Sequence, residues 1–392
     1  MKKNLIALAI FGAFSGAALA QSNVTLYGII DVNFQYNDPD TGSSTRGINS
    51  GHQSGSRFGF RGSETLATGL NAVFTIEGGF NPDLGTSGQG GRLFGRQVWG
   101  GFSGGWGTAV LGRVATFSSG TGSFDMFGNT DPFLTGFGDS ALASTFTSAG
   151  ATRLDNSFLY SSPTFGGFKF GAGYSFNGNG TELAGSGANN RIQFYGVNFS
   201  RGPIFAVVTY DRFDVPDGGV AGSATAPRIA ANASDQWNLQ AGLTFDLKFI
   251  KLHGGYAKED RVYYTSGLGL QFDPGADADA WMGGVTLPLG PKGGTLLGSY
   301  QRRNGDNATV CLNASTTIVC PAANVQTRNR DVRVWAIGYT YPFSRRTNLY
   351  VNFSDLDNEQ RTVTFTATGA VATNTTAEAG RKQYTVGIRH LF

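Results

Sequence analysis

Cysteine occurs twice and histidine three times in 392 residues, which leaves little material for metal or nucleophile chemistry. No group of cysteines and histidines has zinc-ligand spacing, no Cys-x-x-Cys pair is present, and no glycine-rich loop ends in the Lys-Ser/Thr of a phosphate cradle. His52, His253 and His390 are scattered, and none stands in a motif that groups a nucleophile, a base and an orienting residue. Neither an enzyme nor a bound metal or cofactor is expected. Charge is scarce too, at 15% of residues with a formal net charge of +3, so gross charge implies no nucleic-acid partner. Beyond residue 20 no stretch approaches roughly 18 consecutive apolar residues, which excludes spanning helices.

What the chain does have is glycine and aromatics: 59 Gly, 31 Phe and 14 Tyr. With 12 Pro, glycine and proline stay under a fifth of the chain, below the roughly 25–30% of low-complexity sequence, so a folded chain is expected. Solid single cores stop growing near about 250–300 residues. The chain therefore holds two domains, or its core is not solid.

Residues 1–20 read as a separate object. Lys2 and Lys3 form a basic start, Leu5 to Phe14 is an apolar run, and Ala18-Leu19-Ala20 has the small-x-small pattern of a cleavage site. Export with cleavage after Ala20 is expected, leaving residues 21–392 at a net charge of +1. A soluble exported protein or a membrane barrel remains.

Alternation at period two then runs almost the whole way. Val24, Leu26, Gly28, Ile30, Val32, Phe34 and Tyr36 share one face of 23–37, opposite Thr25, Asp31, Asn33 and Gln35. Similar segments centre on 55–63, 70–80, 92–103, 107–114, 153–163, 167–178, 190–201, 203–213, 235–246, 248–260, 278–288, 294–304, 329–341, 347–357 and 379–392. That is an even set of sixteen. Their connections alternate between tight turns, such as Gly202-Pro203, and long polar stretches such as 214–234 and 305–328. Short turns at one end and long loops at the other describe a transmembrane β-barrel. A soluble sandwich would instead bury the polar second faces at roughly 1–3 kcal/mol per unpaired group. An antiparallel barrel of 16 strands leaves an aqueous channel in which those faces stay wet.

One connection breaks the rhythm. Residues 115–152 lack sustained alternation, and loops beyond about 12–15 residues are usually functional. Two further strands here, giving eighteen, are the alternative. Phe117, Phe124, Met126, Phe127, Phe133, Leu134, Phe137 and Phe146 are candidates to anchor this loop on the inner wall, with Asp125, Asp131 and Asp139 facing a water path.

At this point the sequence resembles a family. Asn23-Val24-Thr25-Leu26-Tyr27-Gly28 with Asp31 looks like the first strand of the general trimeric porins of beta-class Gram-negative bacteria, the neisserial and burkholderial type. Ser56-Arg57-Phe58-Gly59-Phe60-Arg61-Gly62, Phe94-Gly95-Arg96-Gln97, Gly107 to Arg113, and Asp155-Asn156-Ser157 are similar to later strands in order. The ending Gly387-Ile388-Arg389-His390-Leu391-Phe392 resembles the terminal strand, whose last Phe is read by the barrel-assembly machinery. The resemblance implies a sixteen-stranded homotrimeric barrel in outer-membrane lipid, passing small hydrophilic solutes and ions by diffusion. It also implies a third loop folded inward as an eyelet, facing a basic wall of Arg57, Arg96 and Arg153, with Arg61 and Arg113 as further candidates.

The alternation supports part of that wall. Phe58 and Phe60 take the lipid parity, which turns Arg57 and Arg61 inward. Phe158 and Tyr160 do the same for Arg153, Asp155 and Ser157. Three arginines about 7 Å from a passing anion contribute about 1.8 kcal/mol together at bulk dielectric. Moderate anion preference, fading toward high salt, is expected. A channel specific for one class of organic anion, or a barrel whose loops serve adhesion, are the rival functions.

Cys311 and Cys320 flank Leu312 to Val319 in an outer loop of an exported chain, where a disulfide is expected. Tyr27, Tyr36, Tyr160, Tyr210, Tyr256, Tyr300, Tyr341, Tyr350 and Trp99 are assigned to interfacial girdles.

Overall fold

The computed structural model describes residues 23–134, 136–142, 145–146, 153–178, 180, 182, 184, 189, 191–214, 235–262, 276–290, 293–305, 308–311, 325–365, 371–378 and 380–392. The expected leader 1–20 lies outside them. So do Cys320 and the Cys311 side chain, and with them the expected disulfide.

Sixteen strands form the wall: β1 Asn23–Pro39, β2 Arg57–Ala67, β3 Leu70–Asn81, β4 Gln97–Gly104, β5 Gly107–Ala115, β6 Arg153–Ser161, β7 Phe168–Ser175 and β8 Arg191–Arg201. The second half is β9 Ile204–Asp214, β10 Gln236–Asp246, β11 Lys251–Val262, β12 Ala276–Pro288, β13 Thr295–Gly305, β14 Val325–Pro342, β15 Thr347–Phe365 and β16 Arg381–Leu391. Each pairs antiparallel with the next, and β16 returns to β1 from Leu391 opposite Ile29 to Arg381 opposite Pro39. Closure leaves no free edge. The final residue completes the seam: Phe392 and Gly28 exchange two backbone hydrogen bonds of 3.1 Å.

The strands form where the alternation predicts them, because lipid outside and water inside ask for opposite residue types at successive positions. Leu26, Phe60, Leu111, Val208, Leu243, Ile337 and Val386 are exposed on the outer face. An apolar surface of that extent belongs against a membrane. Turns at one end are tight, and Gly69 and Gly202 take φ of +78° and +60° to make them. Four short accessory strands, Thr45–Ser50, Thr86–Ser87, Ala308–Cys311 and Val371–Glu378, extend hairpins at the other end.

The structure corrects the sequence reading in several places. The strand expected at 92–103 begins at Gln97, which leaves Arg96 in the preceding loop. The described residues between β5 and β6 contain two short 3-10 turns, Gly128–Thr130 and Gly138–Ser140, and no further strand. Tyr27, Trp99 and Tyr350 face inward rather than joining a girdle. Tyr27 donates to Glu77 Oε2 at 2.9 Å, Trp99 packs 5.2 Å from Phe124, and Tyr350 is fully buried.

Candidate functional site: the loop-narrowed lumen

Among the described residues, buried apolar side chains gather in two clusters, and the loop after β5 supplies both. Phe117, Phe124, Met126, Phe127, Leu142 and Phe146 pack on wall residues including Leu154, Ile192, Phe194, Val207 and Met282. Phe133 and Phe137 pack on Leu297, Ala336 and Tyr350. The eight apolar anchors expected from sequence hold except Leu134, which is exposed at φ +52°. Burying this face folds the loop into the lumen instead of leaving it outside.

Polar contacts fix its path. The Ser118 hydroxyl donates to Asp211 on β9. His253 on β11 meets the Thr130 carbonyl at 2.9 Å. Thr145 donates to Gln301 on β13, which donates in turn to the Ser140 carbonyl, both at 2.7 Å. Asp139 accepts two bonds from Arg381 on β16, one of them 2.6 Å from Nε. The loop thus follows the wall from β7 round to β16.

The loop acids are therefore not turned to open water, contrary to the sequence reading. Asp125 accepts backbone N–H bonds from Gly120 (2.7 Å), Gly128 (2.8 Å) and Phe127 (3.3 Å). Burial still pushes its carboxyl up to about 6. Asp131, fully buried, accepts from Phe133 N (2.9 Å) and Leu142 N (3.0 Å). Asp139 is the ion-pair partner of Arg381. All three carboxylates are used to hold the loop's shape, so they oppose the basic wall less than their number suggests.

His52 is buried beneath this loop. Its ring stacks on Tyr350 at 6.1 Å and meets Phe137 edge-on, while its carbonyl accepts Phe137 N–H. Burial pulls the imidazole down to about 4, so it is neutral at physiological pH. Tyr350 donates to Asp31 at 2.5 Å, tying β15 to β1 beneath it.

The stretch of wall beside the start of the loop is basic. Arg57 on β2 donates Nε to the Gly55 carbonyl at 2.9 Å. Arg96, buried, pairs with Glu77 on β3 at 2.6 Å and donates to Thr121 Oγ1 of the loop at 3.2 Å. Arg153 donates to the same hydroxyl at 3.3 Å. Arg57, Arg96 and Arg153 lie within electrostatic reach of one another, so the structure brings together the three sequence-predicted arginines.

Of the two further candidates, Arg61 stands apart, whereas Arg113 lies within electrostatic reach of Arg153 but is paired with Asp155. Arg61 faces inward but lies about 13 Å along β2 from Arg57, with its guanidinium 5.2 Å over the Tyr27 ring. Arg113 pairs with Val98 across the ladder while its neighbour Gly112 pairs with inward-facing Trp99, which gives Arg113 the outer parity. There it contacts Asp155 at 2.5 Å and the Gly95 carbonyl at 2.9 Å, and Arg92 takes the other Asp155 oxygen. A bulge on β6 explains the place of Asp155. The β5–β6 register shifts after Gly112, and Asn156 takes φ +47°, so Leu154 takes the inner position opposite Val114. The alternation from Phe158 therefore carries neither Asp155 nor Arg153 inward, and Arg153 meets the loop through its bond to Thr121.

Sequence reasoning missed Thr121 as the bridge, Arg381 as the partner of Asp139, and Arg389, which donates to Ser54 Oγ at 2.9 Å and adds charge near Arg57. Arg381 and Arg389 share the inward parity of β16 with Gln383 and Thr385, and that was the available signal.

Residues 5–361 match the Gram-negative porin family. The chain belongs to that family. Among its porin relatives, an outer membrane porin protein of Bordetella pertussis is 33% identical, over 92% of this chain and 97% of that one. Outer membrane porin protein 32 of Delftia acidovorans is 32% identical over the full length of both. The solved anion-selective porin from Comamonas acidovorans shares the fold, with a TM-score of 0.68 over 95% of this chain and all of that one at 24% identity.

Proposed function

We propose that this porin is a water-filled channel of the outer membrane, through which small hydrophilic solutes and ions diffuse passively with a moderate preference for anions. The observation that carries the reading is the asymmetry of the narrowed lumen: Arg57, Arg96 and Arg153 line one wall, while the acids of the facing loop are spent on its own backbone and on Arg381. Glu77 compensates Arg96, which leaves Arg57 and Arg153 as the effective charges. At about 7 Å and bulk dielectric they favour an anion by about 1.2 kcal/mol, roughly sevenfold before salt screening. The lumen filters by size and charge and carries out no reaction.

The working form in this reading is a homotrimer embedded in outer-membrane lipid. It is exported through a cleaved leader ending at Ala20, and the barrel-assembly machinery recognises Phe392. Refolded residues 21–392 in planar bilayers test it: stepwise conductance that appears in threes supports channel and trimer together. A folded barrel that never conducts contradicts the reading.

A further inference from the structure

We propose that inward-facing glycines on alternate parts of the wall form a rail that seats the loop and thereby sets the width of the channel. The inference rests on the channel reading above. Glycine weakens a strand interior, so its presence there needs a local reason. Here the reason is the loop. A Cβ on Gly171 of β7 would lie 2.3 Å from Phe117 Cζ, and one on Gly196 of β8 would lie 2.8 Å from Met126 Sδ. On Gly242 of β10 it would lie 2.1 Å from Thr130 Oγ1, on Gly284 of β12 it would lie 2.4 Å from Pro132 Cγ, and on Gly338 of β14 it would lie 2.8 Å from Phe133 Cε1. Five strands, taken in order round the barrel, each receive the next part of the loop at a position without a side chain.

Other glycines on the same wall set the contrast. Gly254 and Gly283 pair with each other across β11 and β12, one residue from the loop-facing positions Gly255 and Gly284, and a Cβ on either meets nothing within 4 Å. Conformation alone does not distinguish the two sets, but contact with the loop does.

The direction of displacement follows from the tethers. The loop is held by Thr121 to Arg96 and Arg153 on one flank and by Asp139 to Arg381 on the other. Atoms in contact need about 3.5–4.0 Å, so an added methyl lifts the tethered loop about 1–1.5 Å off the wall and into the lumen.

The test measures single-channel conductance of Gly171→Ala and Gly242→Ala against Gly254→Ala and Gly283→Ala, each first shown to be folded by its heat-modifiable mobility. Conductance falls by roughly a tenth to a third in the first pair and stays at the unsubstituted value in the second. Thr130→Gly restores Gly242→Ala, because the three atoms nearest the added methyl all belong to the Thr130 side chain. Gly338→Ala, with a milder contact, serves where a tighter position prevents folding. Unchanged or raised conductance in the folded rail variants, or an equal fall in the control pair, overturns the proposal. Failure of the unsubstituted chain to conduct would instead overturn the channel reading, and the two failures are told apart by that single record.

Discussion

Arg96 and Arg153 donate to one and the same oxygen, Thr121 Oγ1, at 3.2 and 3.3 Å. Two guanidinium groups that repel each other are thereby held side by side by the loop that faces them. Thr121→Val keeps the shape of the side chain and removes the acceptor. Each lost charge-assisted bond is worth about 1.5–3 kcal/mol at most, and the exposed share of Arg153 lowers that figure. The expected outcome is a lower melting temperature of the folded barrel with more open-channel current noise, read by thermal unfolding and by bilayer recording.

Glu77 decides how much of Arg96 a passing ion feels. In Glu77→Gln the Arg96 charge is no longer compensated, and one further charge about 7 Å from the ion path adds about 0.6 kcal/mol. Because the same charge disfavours the cation equally, the anion-to-cation permeability ratio rises by up to roughly sevenfold before salt screening. Arg96→Ala behaves differently, because it strands a buried Glu77 carboxylate. A loss of about 3–5 kcal/mol in stability is expected, read as reduced recovery of folded barrel.

How much of this was legible beforehand depends on what dictated each residue. Lipid imposes period two on β1, β10 and β16, so their ranges and faces were readable from residue type. Arg57 inherited its inward parity from Phe58 and Phe60 in the same way. Asp155 was misassigned because a bulge at Asn156 shifts the register, and nothing in the local residue types announces it. Arg113 takes its outer parity from the unbroken β4–β5 ladder. Asp125, Asp131 and Asp139 were readable as loop acids but not as structural ones. Their partners are loop backbone and an arginine more than two hundred residues away. The burial of His52 was not readable for the same reason, since Phe137 and Tyr350, which cover it, are far from it in the chain.

Two loop groups give the narrowed lumen opposing pH dependences. Asp125 titrates near 6 when folded, above the ordinary carboxylate value, so the folded chain holds the extra proton and stability falls as pH rises from about 4 to 6. His52 titrates near 4 when folded, below the ordinary imidazole value, so its contribution is present above about 6.5 and is lost as pH falls toward 4. Melting temperature across pH 4–7 separates them. His52→Gln leaves the falling limb, and Asp125→Asn leaves the rising one.

The Asp139 to Arg381 ion pair ties the far flank of the loop to β16. Arg381 is about half exposed, so the pair contributes on the order of 1 kcal/mol after solvent screening. Arg381→Gln leaves the barrel folded but frees that flank. More frequent brief closures under applied voltage are expected, and closing rates equal to those of the unsubstituted channel would show that the pair does not restrain the loop.

The claim at the centre of this account is that arginines on one wall of a loop-narrowed lumen favour anions. The zero-current potential in a tenfold potassium chloride gradient tests it most directly, with the unsubstituted chain beside Arg57→Gln/Arg153→Gln. The account predicts an anion-directed potential that shrinks toward zero in the double variant and toward high salt. A cation-directed potential, or one that the double variant leaves unchanged, would contradict it.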